Sequence, residues 1–225
     1  MDGVTEIKQV LEDLLEDNKF LELLQEQKWE QIKQYKTMKD YESGHPFSGV
    51  DLYAALINLC WNTGVPTDKN PDLKDNILSD DIFPYNIIAF DVIKIPNFIT
   101  QIGYSAFEDT SFEQIILNTN ITDIDDSAFQ SCWNLKDIVL PASLERLGSD
   151  VFYGCHSLVF VSIFPKSLKS VGDTIFTECD KLKQIIFKGT KEQAGDLGLL
   201  NATHLGIYHK VTVKCNDGDV VIGDE

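Results

Sequence analysis

The chain repeats itself, and no other feature restricts its fold as much. The hexapeptide Ile102-Gly103-Tyr104-Ser105-Ala106-Phe107 returns as Ile124-Asp125-Asp126-Ser127-Ala128-Phe129. It returns again as Leu147-Gly148-Ser149-Asp150-Val151-Phe152 and as Val171-Gly172-Asp173-Thr174-Ile175-Phe176. The four phenylalanines lie 22, 23 and 24 residues apart. In three copies a cysteine follows, with leucine three places on: Cys132 and Leu135, Cys155 and Leu158, Cys179 and Leu182. Each copy then enters a short β-like run over residues 115–117, 138–140, 161–163 or 185–187, and Ile93-Lys94-Ile95-Pro96 precedes the first. A unit of about 23 residues cannot close a core alone, but stacked copies can bury equivalent apolar positions against one another. The pattern therefore predicts a solenoid.

Within each unit, Gly103, Gly148 and Gly172 suit a tight corner where positive φ costs little. Asp125 holds that place in the second copy, and Asp tolerates the conformation better than most residues. Pro96, Pro141 and Pro165 end their strands because proline donates no ladder hydrogen bond. The Ala-Phe segment is expected to form a half-turn of helix that drops the ring into the core.

The consensus C-x-x-L-x-x-I-x-L-P-x-x-L-x-x-I-G-x-x-A-F, which residues 132–152 meet almost position for position, resembles the BspA-type (Treponema pallidum-type) leucine-rich repeat family. Residues 187–193 and 213–219 resemble the tails of its members, so the likeness runs over residues 80–225. It implies an α+β chain: a right- or left-wound leucine-rich repeat solenoid of about four to five coils with parallel strands. Members of the family are described as surface adhesins in oral and gut bacteria, and similar repeats occur in phage-encoded intracellular proteins. In leucine-rich repeats the strands line one concave face, which leaves their non-core residues pointing outward. One outward column then contains Lys94, Ile116, Val139, Ser162 and Ile186; the other contains Val92, Gln114, Asp137, Phe160 and Gln184. Val92, Ile116, Val139, Phe160, Phe164 and Ile186 form the expected partner-binding set. The alternatives are an N-terminal helix folded over this face, or β-branched residues present only because strands favour them.

The two ends read differently. Ile7, Val10, Leu11, Leu14, Leu15, Leu21, Leu24, Ile32 and Tyr35 fall at helical spacing and predict helix over 5–42, in one piece or broken at Asp17-Asn18. Ser43-Gly44-His45-Pro46 is a stop. A second amphipathic helix is predicted over 50–62 with Leu52, Leu56, Leu59 and Cys60 inward, ended by residues 63–66. Residues 66–81 are polar and turn-rich, a linker or irregular cap edge. Residues 190–201 include a short helix, and 211–213 with 220–222 flank Asn216-Asp217-Gly218-Asp219 as a hairpin. The expected division is a helical N-terminal domain over 1–79 and a repeat solenoid with a C-terminal strand cap over 80–225. Either end can shield a terminal coil.

Composition narrows the function. With Lys+Arg 19, Asp+Glu 36 and a net charge of −17, direct binding to a phosphate backbone is disfavoured. No apolar run approaches a membrane span, and Met1–Val10 does not read as a secretory signal. Five cysteines point to a reducing compartment. The expected location is cytoplasmic, in a bacterium or in its host cell if phage-encoded. Cys132, Cys155 and Cys179 read as a buried column, since a straight file offers a metal two ligands at most. Gly189-Thr190-Lys191 lacks the rest of a phosphate loop, Asp123, Asp125 and Asp126 lack the rest of an EF-hand, and His204 and His209 read as surface residues. Asn120-Ile121-Thr122 and Asn201-Ala202-Thr203 match a glycosylation pattern without a secretory route. No nucleophile, base and orienter converge, so a non-enzymatic protein without cofactor is expected, one that binds a protein partner through the strand face, the N-terminal helices or both. Two other readings use the same features. The acidity either serves solubility or imitates a phosphate backbone, as in a phage-type inhibitor of a nucleic-acid-binding host enzyme. The family likeness alone would also allow a surface adhesin.

Overall fold

The computed structural model describes residues 3–36, 49–78, 91–165 and 167–224. The helical start is divided among α1 (Gly3–Glu16), α2 (Asn18–Gln25) and α3 (Trp29–Lys33). The break falls at Asp17, whose carboxylate accepts the backbone N–H groups of Lys19 and Phe20 at 2.9 and 3.3 Å and so caps α2. Tyr35 donates its hydroxyl to the same carboxylate at 2.6 Å, folding the segment after α3 back on the cap. The expected stop at Ser43–Pro46 lies outside the described residues. Helix α4 (Gly49–Thr63) matches the second predicted helix, but it is buried continuously from Leu52 to Asn58 rather than along one stripe. The reason is its position: it packs between α1 and the first strand of the large sheet. At that junction Asn62 donates from Nδ2 to the Val92 carbonyl at 3.2 Å.

The repeats build two sheets. The larger contains β2 (Val92–Lys94), β4 (Gln114–Ile116), β6 (Asp137–Val139), β8 (Phe160–Phe164), β10 (Gln184–Phe187), β11 (Val211–Cys215) and β12 (Gly218–Ile222). All pair in parallel except β12, which folds back antiparallel on β11 as the predicted hairpin. The smaller sheet is parallel throughout: β1 (Ile77–Leu78), β3 (Gln101–Ile102), β5 (Asp123–Ile124), β7 (Arg146–Leu147) and β9 (Ser170–Val171). Each coil thus supplies one strand to either sheet. Strand β1 arises inside the polar stretch read as a linker, because Leu78 is fully buried and pairs with Ile102.

The core is a set of files running along the solenoid. Ile93, Ile115, Ile138, Val161, Ile185 and Val213 point inward from the large sheet, and Leu78, Ile102, Ile124 and Leu147 from the small one. Between them the rings of Phe107, Phe129, Phe152 and Phe176 stack in one column, with centroids 5.4, 5.7 and 5.7 Å apart and planes within 8° of parallel. The cysteine column runs beside them. Cys132, Cys155 and Cys179 direct their thiols to the carbonyls of Phe107, Phe129 and Phe152 in the preceding coil at 3.2, 3.2 and 3.0 Å. Thr110 holds the equivalent place one coil earlier and meets Cys132 at 3.3 Å.

The segment around the phenylalanine is not helical. Ser105, Phe107 and Asp109 donate their backbone N–H groups to the carbonyls of Asp126, Ala128 and Gln130 in the next coil at 3.1, 2.9 and 2.9 Å. Ser127, Phe129 and Ser131 repeat this toward the third coil, and Asp150, Phe152 and Gly154 toward the fourth. A helical half-turn would direct those groups along its own axis and leave the coils unlinked. Positive φ at Ser105, Asp109, Ser127, Ser131, Asp150, Thr174 and Glu178 turns them outward instead. At the last coil, α6 (Ala202–Leu205) takes over the acceptor role, with Thr174 and Phe176 donating to the His204 and Leu205 carbonyls at 2.7 and 2.9 Å.

The recurring glycines have a different cause from the one expected. Gly103, Gly148 and Gly172 do not adopt positive φ. A Cβ on Gly172 would lie 2.4 Å from the backbone of Gly148 and Ser149, and one on Gly103 would lie 2.6 Å from the Leu78 carbonyl. Close approach of coils, rather than turn geometry, excludes a side chain there. Asn118 fills the proline column in the second coil and donates from Nδ2 to the Pro96 and Ile99 carbonyls at 2.7 and 2.9 Å, binding that corner to the previous one.

Two predictions test this packing. Gly172→Ala should destabilise the fold by about 1–3 kcal/mol, the usual cost of an overpacked site. By contrast Gly195→Ala, in α5 (Lys191–Asp196) with nothing within 4 Å of the added carbon, should stabilise it by about 0.5–1 kcal/mol; thermal melts of both variants against the parent measure the difference. Native protein at pH 8 should expose only Cys215 to a thiol reagent, since Cys60, Cys132, Cys155 and Cys179 are buried. Burial pushes the Cys60 thiol up to about 12 and raises those of Cys155 and Cys179 too; the four buried thiols should react only after unfolding.

Candidate interaction surface

Strand pairing puts the outward residues of the large sheet in the two files expected. Lys94 pairs with Ile116, Val139 with Ser162, and Ile186 with Lys214 in one file. Val92 pairs with Gln114, then come Asp137, Phe160, Gln184, Thr212 and Val221 in the other. Ile116 is 44% exposed, Val139 50% and Phe160 45%, while Val92 and Ile186 are half-buried. The backbone of Phe164 pairs with that of Phe187 beyond a register shift, and its side chain lies outside the described residues. No described helix covers Ile116, Val139 or Phe160. The file also extends further than the repeat alone implies, because Val221 on β12, 61% exposed, continues the line of Phe160. Alternation along the predicted hairpin already contained that extension.

Several charged side chains of the repeats are engaged between coils. Arg146 bridges Asp123 at 3.1 Å and Asp125 at 3.0 Å; partial burial works against its charge, but the two carboxylates outweigh this and raise its pKa. Asp126 accepts the Ser149 N–H at 2.8 Å, Asp150 accepts the Thr174 hydroxyl at 2.6 Å, and Glu108 accepts the Gln130 amide at 3.0 Å. Lys136 pairs with Glu113 and Lys169 with Glu145, each at 2.5 Å and each one coil apart. These carboxylates tie neighbouring coils, so Asp123, Asp125 and Asp126 have structural work that needs no cation.

The remaining motifs are absorbed by the cap. Thr190 and Gln193 form a reciprocal capping box at the start of α5, which accounts for Gly189-Thr190-Lys191. Asn201 caps α6 by accepting the His204 N–H at 3.0 Å. The two histidines are less exposed than expected. His204 places Nδ1 2.6 Å from an Asp173 carboxylate oxygen, and His209 meets the Leu182 carbonyl at 2.7 Å through Nε2. Among the described residues no group of histidine, cysteine and carboxylate side chains is placed to hold a metal ion, and no helix is long and apolar enough to cross a membrane.

No curated protein matches the chain. Among solved structures it is similar to the leucine-rich repeat protein of T. pallidum, at 32% identity and a TM-score of 0.43 over 45% of this chain and 48% of that one. A leucine-rich repeat protein from Eubacterium ventriosum is similar at 21% identity and a TM-score of 0.41, covering 53% of this chain and 35% of that one. A leucine rich cell surface protein from Faecalibacterium prausnitzii follows at 24% identity and 0.36, covering 48% and 34%. The chain therefore spans less than half the length of each. Six copies of the BspA type leucine rich repeat region match residues 76–202, more than half of the sequence, and the chain belongs to that family.

Proposed function

We propose that the chain is a non-catalytic protein-binding module whose partner sits on the outer face of the large sheet, over Ile116, Val139 and Phe160 with Val92 and Ile186 at its margins. The observation that carries this reading is the exposure of those three residues as neighbours in adjoining coils. Nothing in the repeat requires them. Inward files of both sheets keep branched aliphatic residues coil after coil, whereas the outward files change from Lys94 to Ile116 to Val139 to Ser162. An apolar cluster held on a rigid surface gains from being covered, and such clusters on proteins tend to mark contact sites. The engaged carboxylates favour solubility and coil-to-coil linkage over phosphate mimicry as the use of the acidity.

The pair Ile116→Asp and Val139→Asp should leave circular dichroism and the melting temperature within the spread of the parent, because both side chains already face solvent. Affinity purification from the native cell, read by mass spectrometry, should lose the proteins that the parent retains. Retention of the same set by the double variant would remove this face from consideration.

A further inference from the structure

The large sheet ends differently at its two sides. At β2 the outer side is met by α4, through the bond from Asn62 to the Val92 carbonyl. At β12 no described residue bonds to the outer side of the backbone. One bond fixes the direction of each group there. Thr212 donates its N–H to the Lys183 carbonyl at 3.0 Å, on the β10 side. Val211, Val213 and Cys215 therefore face β12, where their partners are Ile222, Val220 and Gly218. Asp219 and Val221 alternate with those partners and turn N–H and C=O away from the sheet. Both side chains are exposed, Val221 at 61%. Gly223, at φ 83°, then packs against the His209 carbonyl, so the described chain leaves β12 on the β11 side and does not fold over the free edge.

An open ladder selects its occupant by backbone chemistry before side chains enter. The free groups of Asp219 and Val221 recur every second residue, ~6.8 Å along the strand. A second extended chain offers donors and acceptors at that period, whereas a helix uses its own within itself. Side chains then refine the choice. Val220 is half-buried at the margin of the core and Val221 stands exposed on the other face, so β-branched or aromatic neighbours suit both faces of an added strand. Local charge does not discriminate, since Lys214 faces Asp219 and Lys191 lies beside Gly218. A second copy of the chain could pair with itself about Val220. That contact would join two molecules of net charge −17 over five residues each, against the ~20–30 residues a side of a stable interface. A short segment of another protein meets neither obstacle.

We propose that the outer edge of β12 is a strand-addition site, where an extended segment of a protein partner pairs with Asp219 and Val221 as an eighth strand of the large sheet. Edges of this kind are ordinarily kept short or covered, and β12, with five residues against three in β2, β4 and β6, is long for one left bare. The site uses none of Ile116, Val139 or Phe160, so it goes beyond the strand-face reading and is tested apart from it.

The test is selection of a displayed library of random dodecapeptides against the whole immobilised chain, followed by amide hydrogen exchange. In the free protein the amides of Asp219 and Val221 should exchange rapidly and those of Val220 and Ile222 slowly; a selected peptide should slow the first pair. Val221→Pro removes one outward N–H without touching the bonds to β11. It should weaken those peptides roughly tenfold by fluorescence anisotropy, the effect of one lost ladder bond. Val221→Thr keeps the N–H and should bind as the parent does. N-methylation along a resynthesised peptide should abolish binding at alternate positions, a readout that does not need the proline variant to fold. No enrichment, peptides that hold a folded proline variant as well as the parent, or N-methyl effects without a period of two would overturn the proposal. Protection of Asp219 and Val221 that rises with protein concentration in the absence of peptide would overturn it too, because a second copy would then occupy the edge.

Discussion

A coil of about 23 residues has no interior, so everything in this chain depends on how closely one coil can lie upon the next. Three backbone tracks set that distance. The two sheets supply the first pair, and the arc through each phenylalanine supplies the third by turning alternate N–H groups toward the following coil. With all three engaged, equivalent side chains have no choice but to meet. The phenyl column, the thiols aimed at the preceding carbonyls and the bare Cα atoms at Gly103, Gly148 and Gly172 are consequences of one separation. A larger corner residue would push two coils apart along all three tracks at once.

The same constraint explains which features could be read before the structure. Strand order, register and the outward files followed from phase alone: Phe107, Phe129, Phe152 and Phe176 fix the alignment, and period-two alternation does the rest. Local backbone conformation did not follow. The Ala-Phe arc looks helical by composition, but its donors are claimed by the neighbouring coil, a demand invisible to any local window. The corner glycines are conspicuous in the sequence, yet whether φ or crowding demands them is decided by a segment about 24 residues away, as Gly148 is for Gly172. Strand β1 escaped notice because two residues carry no periodicity. The family phase does extend there, since Leu78-Ser79-Asp80-Asp81-Ile82-Phe83 aligns with Leu147-Gly148-Ser149-Asp150-Val151-Phe152, although residues 79–83 lie outside the described part.

The N-terminal helices show the opposite limit. Their spacing indicates helix and leaves open a break at Asp17-Asn18, but α4 is enclosed on several sides, so its sequence periodicity understates its burial. Amphipathic reading assumes one wet face, and a helix set between α1 and the first coil has little of one. Its hydrogen bond from Asn62 to the Val92 carbonyl reaches the first strand of the large sheet at the end where the apolar file begins. At the other end β11 and β12 extend the same sheet, with Thr190 and Asn201 capping the short helices that close the core.

Between those two closures the solenoid divides its residues by direction. Inward positions answer to the neighbouring coil and admit little besides leucine, isoleucine, valine, phenylalanine and cysteine. Positions at the corners answer to it also, through carboxylates that hold Arg146, Ser149 and Thr174 one coil away. The outward strand positions answer to stacking far less, although Ser162 still donates to the Ile138 carbonyl at 3.3 Å, and there the residue changes at every step. A fold so repetitive can hold information specific to one partner only where repetition is not enforced. The exposed neighbours Ile116, Val139 and Phe160 stand at such a place.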